Sequence, residues 1–284
     1  MKGSDRLAFP FLGGLGLLIA LPALAAAALA FTEYSGLGAP RFVGIDNFER
    51  LIGDSGFREA LGNSGLYVLM SVPLRVAAMV GCALLLHRRA RGSGAARAAV
   101  YMPTVVPDAA YALLWLWLLN PLYGPVAGIA AALGADTPSL LTDPWGARLA
   151  IVMMGVFQIG EGFVIALAAR RSLPGALYDS ASVDGASGWF VTRKVTLPMM
   201  APVILLLAAR DVVLALQTSF VPALFLTDGG PRRATTYLSL FAYRQAFRYF
   251  KLGYASAIAV SMFVITALAI YAQYRVAKRY RLLG

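Results

Sequence analysis

Leu177-Tyr178-Asp179-Ser180-Ala181-Ser182-Val183-Asp184-Gly185-Ala186, followed by Trp189 and by Val195-Thr196-Leu197-Pro198, is a polar, glycine-broken insertion between two long apolar runs. The run before it covers Ala147 to Ala169 and the run after it Met199 to Pro222. A helix that crosses a bilayer needs about 20 predominantly apolar residues, and both runs meet that requirement. Four more do so: Ala8 to Phe31, Leu66 to Leu86, Ala98 to Leu119 and Tyr254 to Tyr274. The sequence therefore predicts an all-α membrane protein of six spans in a single domain over residues 1–284. The quoted insertion belongs to a loop over 170–198 that projects from the bilayer.

Composition supports this class. The chain has 284 residues, 59% hydrophobic and only 14% charged, with a mean hydropathy of +0.69. That is far more apolar than a soluble domain of this length. A net charge of +11 would suggest nucleic acid in a soluble protein. Here Lys and Arg stand in short loops and tails beside apolar runs, which reads as topology and excludes a nucleic-acid footprint. With both termini cytoplasmic, the inside carries Lys2, Arg6, Arg88, Arg89, Arg91, Arg97, Arg170, Arg171, Arg193, Lys194, Arg275, Lys278, Arg279 and Arg281. Arg232, Arg233, Arg244, Arg248 and Lys251 then lie outside, against the trend. The apolar run after Lys2 and Arg6 exceeds a signal-peptide core and reads as an uncleaved first span. Cys82, the single cysteine, reads as a small buried residue, and His87 as interfacial.

The insertion itself predicts two short helices. Pro174-Gly175 fixes the entry, Leu177 to Val183 supplies about two turns, and Gly185 allows the positive backbone angle that ends a helix. A second helix is expected from about Ser187 to Lys194. The spacing resembles the cytoplasmic loop of ABC importer permeases, whose pattern is Glu-Ala-Ala, Asp-Gly-Ala and a closing aliphatic-x-Leu-Pro. By that resemblance Asp179 stands at the Glu position, Ser180 and Ala181 at the two Ala positions, Asp184-Gly185-Ala186 at Asp-Gly-Ala, and Leu197-Pro198 at the close. Asp179, Ser180 and Thr192, where an aromatic is common, depart from the pattern. Three further passages resemble the carbohydrate-type members: Phe42-Val43-Gly44-Ile45-Asp46-Asn47-Phe48 with Asn63, then Trp115 to Asn120-Pro121, then Thr227-Asp228-Gly229-Gly230-Pro231.

The resemblance implies the type I ABC importer permease fold and a prokaryotic cytoplasmic-membrane location. It implies a second, different permease subunit, two ATP-binding subunits docking on Leu177 to Ala186, and an extracytoplasmic solute-binding protein. The chain has no phosphate loop, so ATP and Mg would sit on the partners and this chain would bind no cofactor and carry no ATPase site. Outside the membrane, Thr235 to Phe250 alternates aromatic and basic residues, which suits an amphipathic helix along the outer interface.

Arg75, Asp108, Glu161, Arg210 and Asp211 fall inside apolar spans. At about 1.5 Å per residue they lie roughly 12 to 18 Å from the cytoplasmic helix ends. Charges at that depth must face the bundle interior, water or one another. Adjacent Arg210 and Asp211 point in different directions, so each needs a partner on another helix. Glu161 is expected to pair with Arg210 or Arg75, and Asp211, with Gln217, to line a polar cavity. Trp115, Phe157, Gln158 and Phe220 are further candidates for a sugar-like solute, which wants aromatic faces and amides. Two readings stay open: a structural ion-pair network, or a solute pathway. An ion-coupled secondary transporter using Glu161 and Asp211 is the alternative function, although no inverted repeat is visible.

Overall fold

A computed structural model describes residues 4–88, 90–136 and 140–279. Lys2, Arg89 and Arg281 of the topology argument lie outside them. In chain order the elements are α1 (Pro10–Leu29), a hairpin of β1 (Thr32–Glu33) and β2 (Arg41–Phe42), α2 (Asp46–Gly53), α3 (Ser55–Leu86), α4 (Ser93–Tyr101), α5 (Asp108–Leu118), α6 (Pro125–Ala132), α7 (Pro144–Phe157), α8 (Gly160–Ser172), α9 (Ala176–Val183), α10 (Gly188–Thr227), α11 (Leu238–Tyr243) and α12 (Leu252–Arg279). By length and composition α1, α3, α10 and α12 can each cross a membrane unbroken. Two bent pairs pass the same test together, which gives four to six candidate spans among the described residues, six if each pair is one span.

The bends are the main departures from expectation. Between α4 and α5 the chain turns by 102°. Pro103 starts a tight 3-10 turn over Met102–Val105, and Pro107 lacks the amide that would continue the helix. Between α7 and α8 the bend is 47°, without any proline. Here the Gly160 amide, which a straight helix would give to Val156, donates to the Thr104 hydroxyl at 2.9 Å. A methyl group on Gly160 would stand 2.9 Å from the Tyr101 Cα and overlap the Thr104 hydroxyl. The glycine is thus required by close approach to the other broken span.

Other boundaries shift. The second span begins at Ser55 rather than Leu66. The separate helix expected from Ser187 to Lys194 is continuous with the fifth span, whose wide, π-type turn at Thr192–Thr196 keeps the chain helical throughout. The amphipathic helix expected over Thr235 to Phe250 starts only at Leu238, and Thr235, Tyr237, Leu238 and Leu240 are buried instead of lying at an interface. Cys82 is half-buried.

Contacts divide the chain into two compact units: residues up to Leu61 with Leu238–Ile265, and Gly62–Tyr237 with residues from Thr266 on. The first unit is built on Leu51, Phe57, Ala60, Leu238, Tyr254, Ala257 and Ile258. Asn47, singled out in the sequence, donates both amide hydrogens, to the Ala30 and Thr32 carbonyls at 2.9 Å each. It closes the end of α1 onto α2. Asp54 accepts from the Gly56 amide at 2.7 Å and from the Tyr254 hydroxyl at 2.6 Å, so one carboxylate caps α3 and holds the start of α12.

The second unit packs Met79 and Ala83 of α3, Phe163, Ala166 and Leu167 of α8, and Met200 and Leu207 of α10. Asn63, buried, donates to the Arg233 carbonyl at 2.9 Å and accepts from Arg148 at 3.0 Å. These bonds tie the segment after Gly229-Gly230-Pro231 to α3 and α7. Gly160→Ala is expected to cost about 1 to 3 kcal/mol by overpacking, read as a lower unfolding temperature of the detergent-solubilised protein; an unchanged temperature would remove the close-approach argument.

Candidate functional site

Two places carry the chemistry that the sequence singled out. At the first, α9 spans Ala176–Val183, as expected for Leu177 to Val183. It ends in a glycine-based cap: the Ala186 amide donates to the Ala181 carbonyl at 2.9 Å and the Gly185 amide to the Ser182 carbonyl at 3.1 Å, with Gly185 at φ +69°. Ser187 then caps the next helix by accepting from the Phe190 amide at 3.3 Å. The turn leaves Leu177, Asp179, Ser180, Asp184, Val183, Trp189 and Phe190 exposed. Val183 is 89% and Trp189 71% accessible. Ser180, Ala181, Asp184, Ala186 and Phe190 line an open groove of about 650 Å³. Leu197 and Pro198 lie on α10, half-buried and exposed respectively.

Apolar side chains this exposed are a cost unless something covers them. Small residues floor the groove, leaving room for a backbone to approach closely, and the Asp184 carboxylate lines it as an acceptor suited to Arg or Lys. His87 donates from Nδ1 to the Leu84 carbonyl at 2.7 Å, and its Nε2 accepts from Arg170 at 3.4 Å. Burial holds the His87 imidazole below its ordinary value, the Leu84 carbonyl opposes this, and the charges of Arg170, Arg88 and Arg171 add to the lowering.

The second place is the set of charges at membrane depth. The structure sorts them into two pairs of different character. Arg75 and Asp211 face each other with Nε 3.0 Å from Oδ2, at side-chain accessibilities of 9% and 0%. The expectation that Asp211 lines a cavity with Gln217 is therefore overturned: its carboxylate is sealed against Arg75. Helical spacing explains why. Gln217 is seven residues, about two turns, beyond Arg210 and so shares the face of Arg210 rather than of Asp211.

Glu161 pairs with Arg210, as one of the two expected pairings had it, but on an open face, with side-chain accessibilities of 56% and 30%. Gln217 is exposed on the same helix and Phe220 half-buried. The breaks supply a third polar contact. Gln158, at the α7–α8 break, donates to Asp108, at the α4–α5 break, at 3.1 Å. Tyr67, Arg75, Asp108, Gln158 and Thr218 border a cavity of about 20 Å³, room for about one water. Trp115 stacks obliquely on Phe157, ring centres 5.7 Å apart, so these two candidates are brought together.

Sequence reasoning noted Asp108 and Gln158 separately and missed that they meet. Pro103 and Pro107 stand at one break, but no proline stands at the other. Thr196 was noted only within the closing motif and Arg170 only for topology; that both contact Tyr178 was missed, because glycine-containing turns hide the spacing.

Whole and broken apolar spans, with an exposed polar turn between two of them, mark a multi-pass membrane protein. Residues 66–282 match the family described as binding-protein-dependent transport system inner membrane component. The probable ABC transporter permease protein YesP of Bacillus subtilis is 32% identical over 264 residues, covering 91% of this chain and 85% of that protein. The trehalose/maltose transport system permease protein MalF of Thermococcus litoralis is 32% identical over 228 residues, 79% of this chain and 76% of its own. A crystal structure of a bacterial ABC transporter involved in the import of the acidic polysaccharide alginate contains a chain with the same fold, at a TM-score of 0.85 and 22% identity over 97% of this chain and 94% of that one. This chain belongs to the binding-protein-dependent inner membrane components, the permease subunits of ABC transporters. The secondary-transporter alternative falls with that assignment.

Removing one member of the sealed pair strands a buried charge, which costs about 3 to 5 kcal/mol, whereas replacing both by apolar residues is close to neutral. Arg75→Met should therefore abolish stable insertion or folding, and Arg75→Met with Asp211→Leu should restore it. Detergent-extracted monodisperse yield is the measurement, and failure of the double variant to recover would show a role beyond mutual neutralisation.

Proposed function

We propose that this chain forms half of the translocation pathway for a sugar or sugar-like solute and is driven by ATP-binding partners docked on Leu177 to Ala186. One observation carries the pathway half: Glu161 and Arg210 form an ion pair that is exposed on this chain's surface at membrane depth. Lipid does not tolerate such a face, so it must meet water or another subunit. Asp108, Gln158, Gln217, Trp115 and Phe157 add acceptors, amides and rings of the kind that hold carbohydrate. Phe220 joins them on the same helix as Gln217. The sugar assignment is supported by relatives named for trehalose and maltose, lactose and sulfoquinovosyl glycerol.

In this reading the second permease is a different chain that closes the pathway across the Glu161 face. The two ATP-binding subunits hold ATP and Mg, while this chain holds no cofactor and hydrolyses nothing. An extracytoplasmic solute-binding protein delivers the solute; an alginate transporter of the same fold is known in complex with its pentasaccharide-bound periplasmic protein. Both termini lie in the cytoplasm. The partners close on ATP, the docking turns move together, and the helices bearing Glu161, Arg210 and Gln217 open their face outward. Hydrolysis and release reverse the motion. ATP acts only through its different affinity for the two states.

The composition of the complex tests this. Extracted in mild detergent from its own membranes, the tagged chain should run at an intact mass that contains one other permease and two ATP-binding subunits. Recovery of the chain alone, where other membrane complexes survive, would refute the reading. Gly185→Pro is expected to abolish uptake without affecting insertion, because proline cannot adopt φ +69° and has no amide to give Ser182. Normal uptake by this variant would sink the docking role.

A further inference from the structure

The docking helix α9 runs between two glycines that can act as swivels: Gly175, helical at φ −60°, and the left-handed Gly185 at φ +69°. A push on α9 would be absorbed there unless a side chain ties it to the membrane helices. Tyr178 is that side chain. It is half-buried while its neighbours Leu177, Asp179 and Ser180 are exposed. Its ring lies beneath the Arg170 guanidinium, 4.3 Å from Cζ to the ring centre. Its hydroxyl is 3.0 Å from the Thr196 hydroxyl, and Thr196 is 2% exposed.

These two contacts reach different helices. Arg170 stands near the end of α8, whose first turn holds Glu161. Thr196 stands on α10, which carries Arg210 further along. The helices joined at membrane depth by the Glu161–Arg210 pair are thus joined again through one tyrosine on the docking helix. Arg170 is itself steadied by His87, whose ring is fixed to the Leu84 carbonyl.

We propose that Tyr178, held by Arg170 and Thr196, is the positioning residue that carries movement of the docking helix to the two helices of the Glu161–Arg210 pair. This rests on the coupling role proposed above. A stacked ring fixes the tilt of α9 against α8, and the hydroxyl fixes its reach toward α10. Loss of either contact lets the swivels take up the motion while the partners still bind and hydrolyse ATP.

The test uses the whole complex purified with its ATP-binding partners, in a Cys82→Ser background with Gln217→Cys as reporter. Alkylation by a charged maleimide is timed without nucleotide and after trapping with ATP and vanadate, alongside ATP hydrolysis. Trapping should change the parent's alkylation rate about fivefold or more. Tyr178→Phe, which keeps the ring, and Arg170→Gln, which keeps the hydroxyl contact, should each lose a large part of that change, and Arg170→Lys should retain most of it. The double variant Tyr178→Phe with Arg170→Gln should show none, with hydrolysis preserved. An unchanged response in the double variant overturns the proposal. Loss of the ATP-binding partners from it also overturns it, because Tyr178 would then be a docking contact. A parent that shows no response to trapping would instead refute the coupling reading, so the two failures are told apart by the parent alone.

Discussion

The need to neutralise Arg75 and Asp211 inside a bilayer is the constraint on which the remainder of the second unit depends. Neither charge can be left alone at that depth, so α3 and α10 must meet with those positions opposed. Once they meet, Met79 and Ala83 of α3 face Met200 and Leu207 of α10, and α8 closes the same core with Phe163, Ala166 and Leu167. Asp211 is then spent on stability. Its neighbour Arg210, forced to another face by helical geometry, is free to serve the exposed face with Glu161.

The broken spans follow the same logic of satisfied backbone. Irregular chain at membrane depth survives only where its polar groups find partners within protein or water. At the α7–α8 break, the freed Gly160 amide finds the Thr104 hydroxyl, and Gln158 finds Asp108. The α4–α5 break thus satisfies the backbone of the α7–α8 break, and together they bring the Gln158 amide against the Asp108 carboxylate. A transport protein needs polar groups there, and two mutually supporting breaks provide them without exposing backbone to lipid.

The docking turn shows the opposite economy. Its hydrogen bonds are nearly all local, through the Gly185 cap and Ser187, and its apolar residues Val183, Trp189 and Phe190 stay in the open. Such a segment contributes little to the stability of its own chain. At 22% identity the alginate importer chain still superposes at a TM-score of 0.85, so the fold is held by apolar patterning and a few polar clasps rather than by most individual residues.

Much was legible in the sequence because it is written locally. Apolar length marks spans, and Pro174-Gly175 and Gly185 mark the turn between the fourth and fifth; Asn47 and Asn63 stood out only by resemblance, and their ties came from the structure. The pairing of Glu161 with Arg210 was anticipated only as one of two options, since a charge states that it needs a partner but not which. Tertiary structure alone decided that Asp211 is sealed by Arg75, that a span bends at Gly160 where no proline stands, and that Tyr178 touches both Arg170 and Thr196. The physical reason is common to all three. Each depends on the rotation of one helix about its axis relative to another, a quantity set by packing of whole faces and invisible to any pattern along a single stretch of chain.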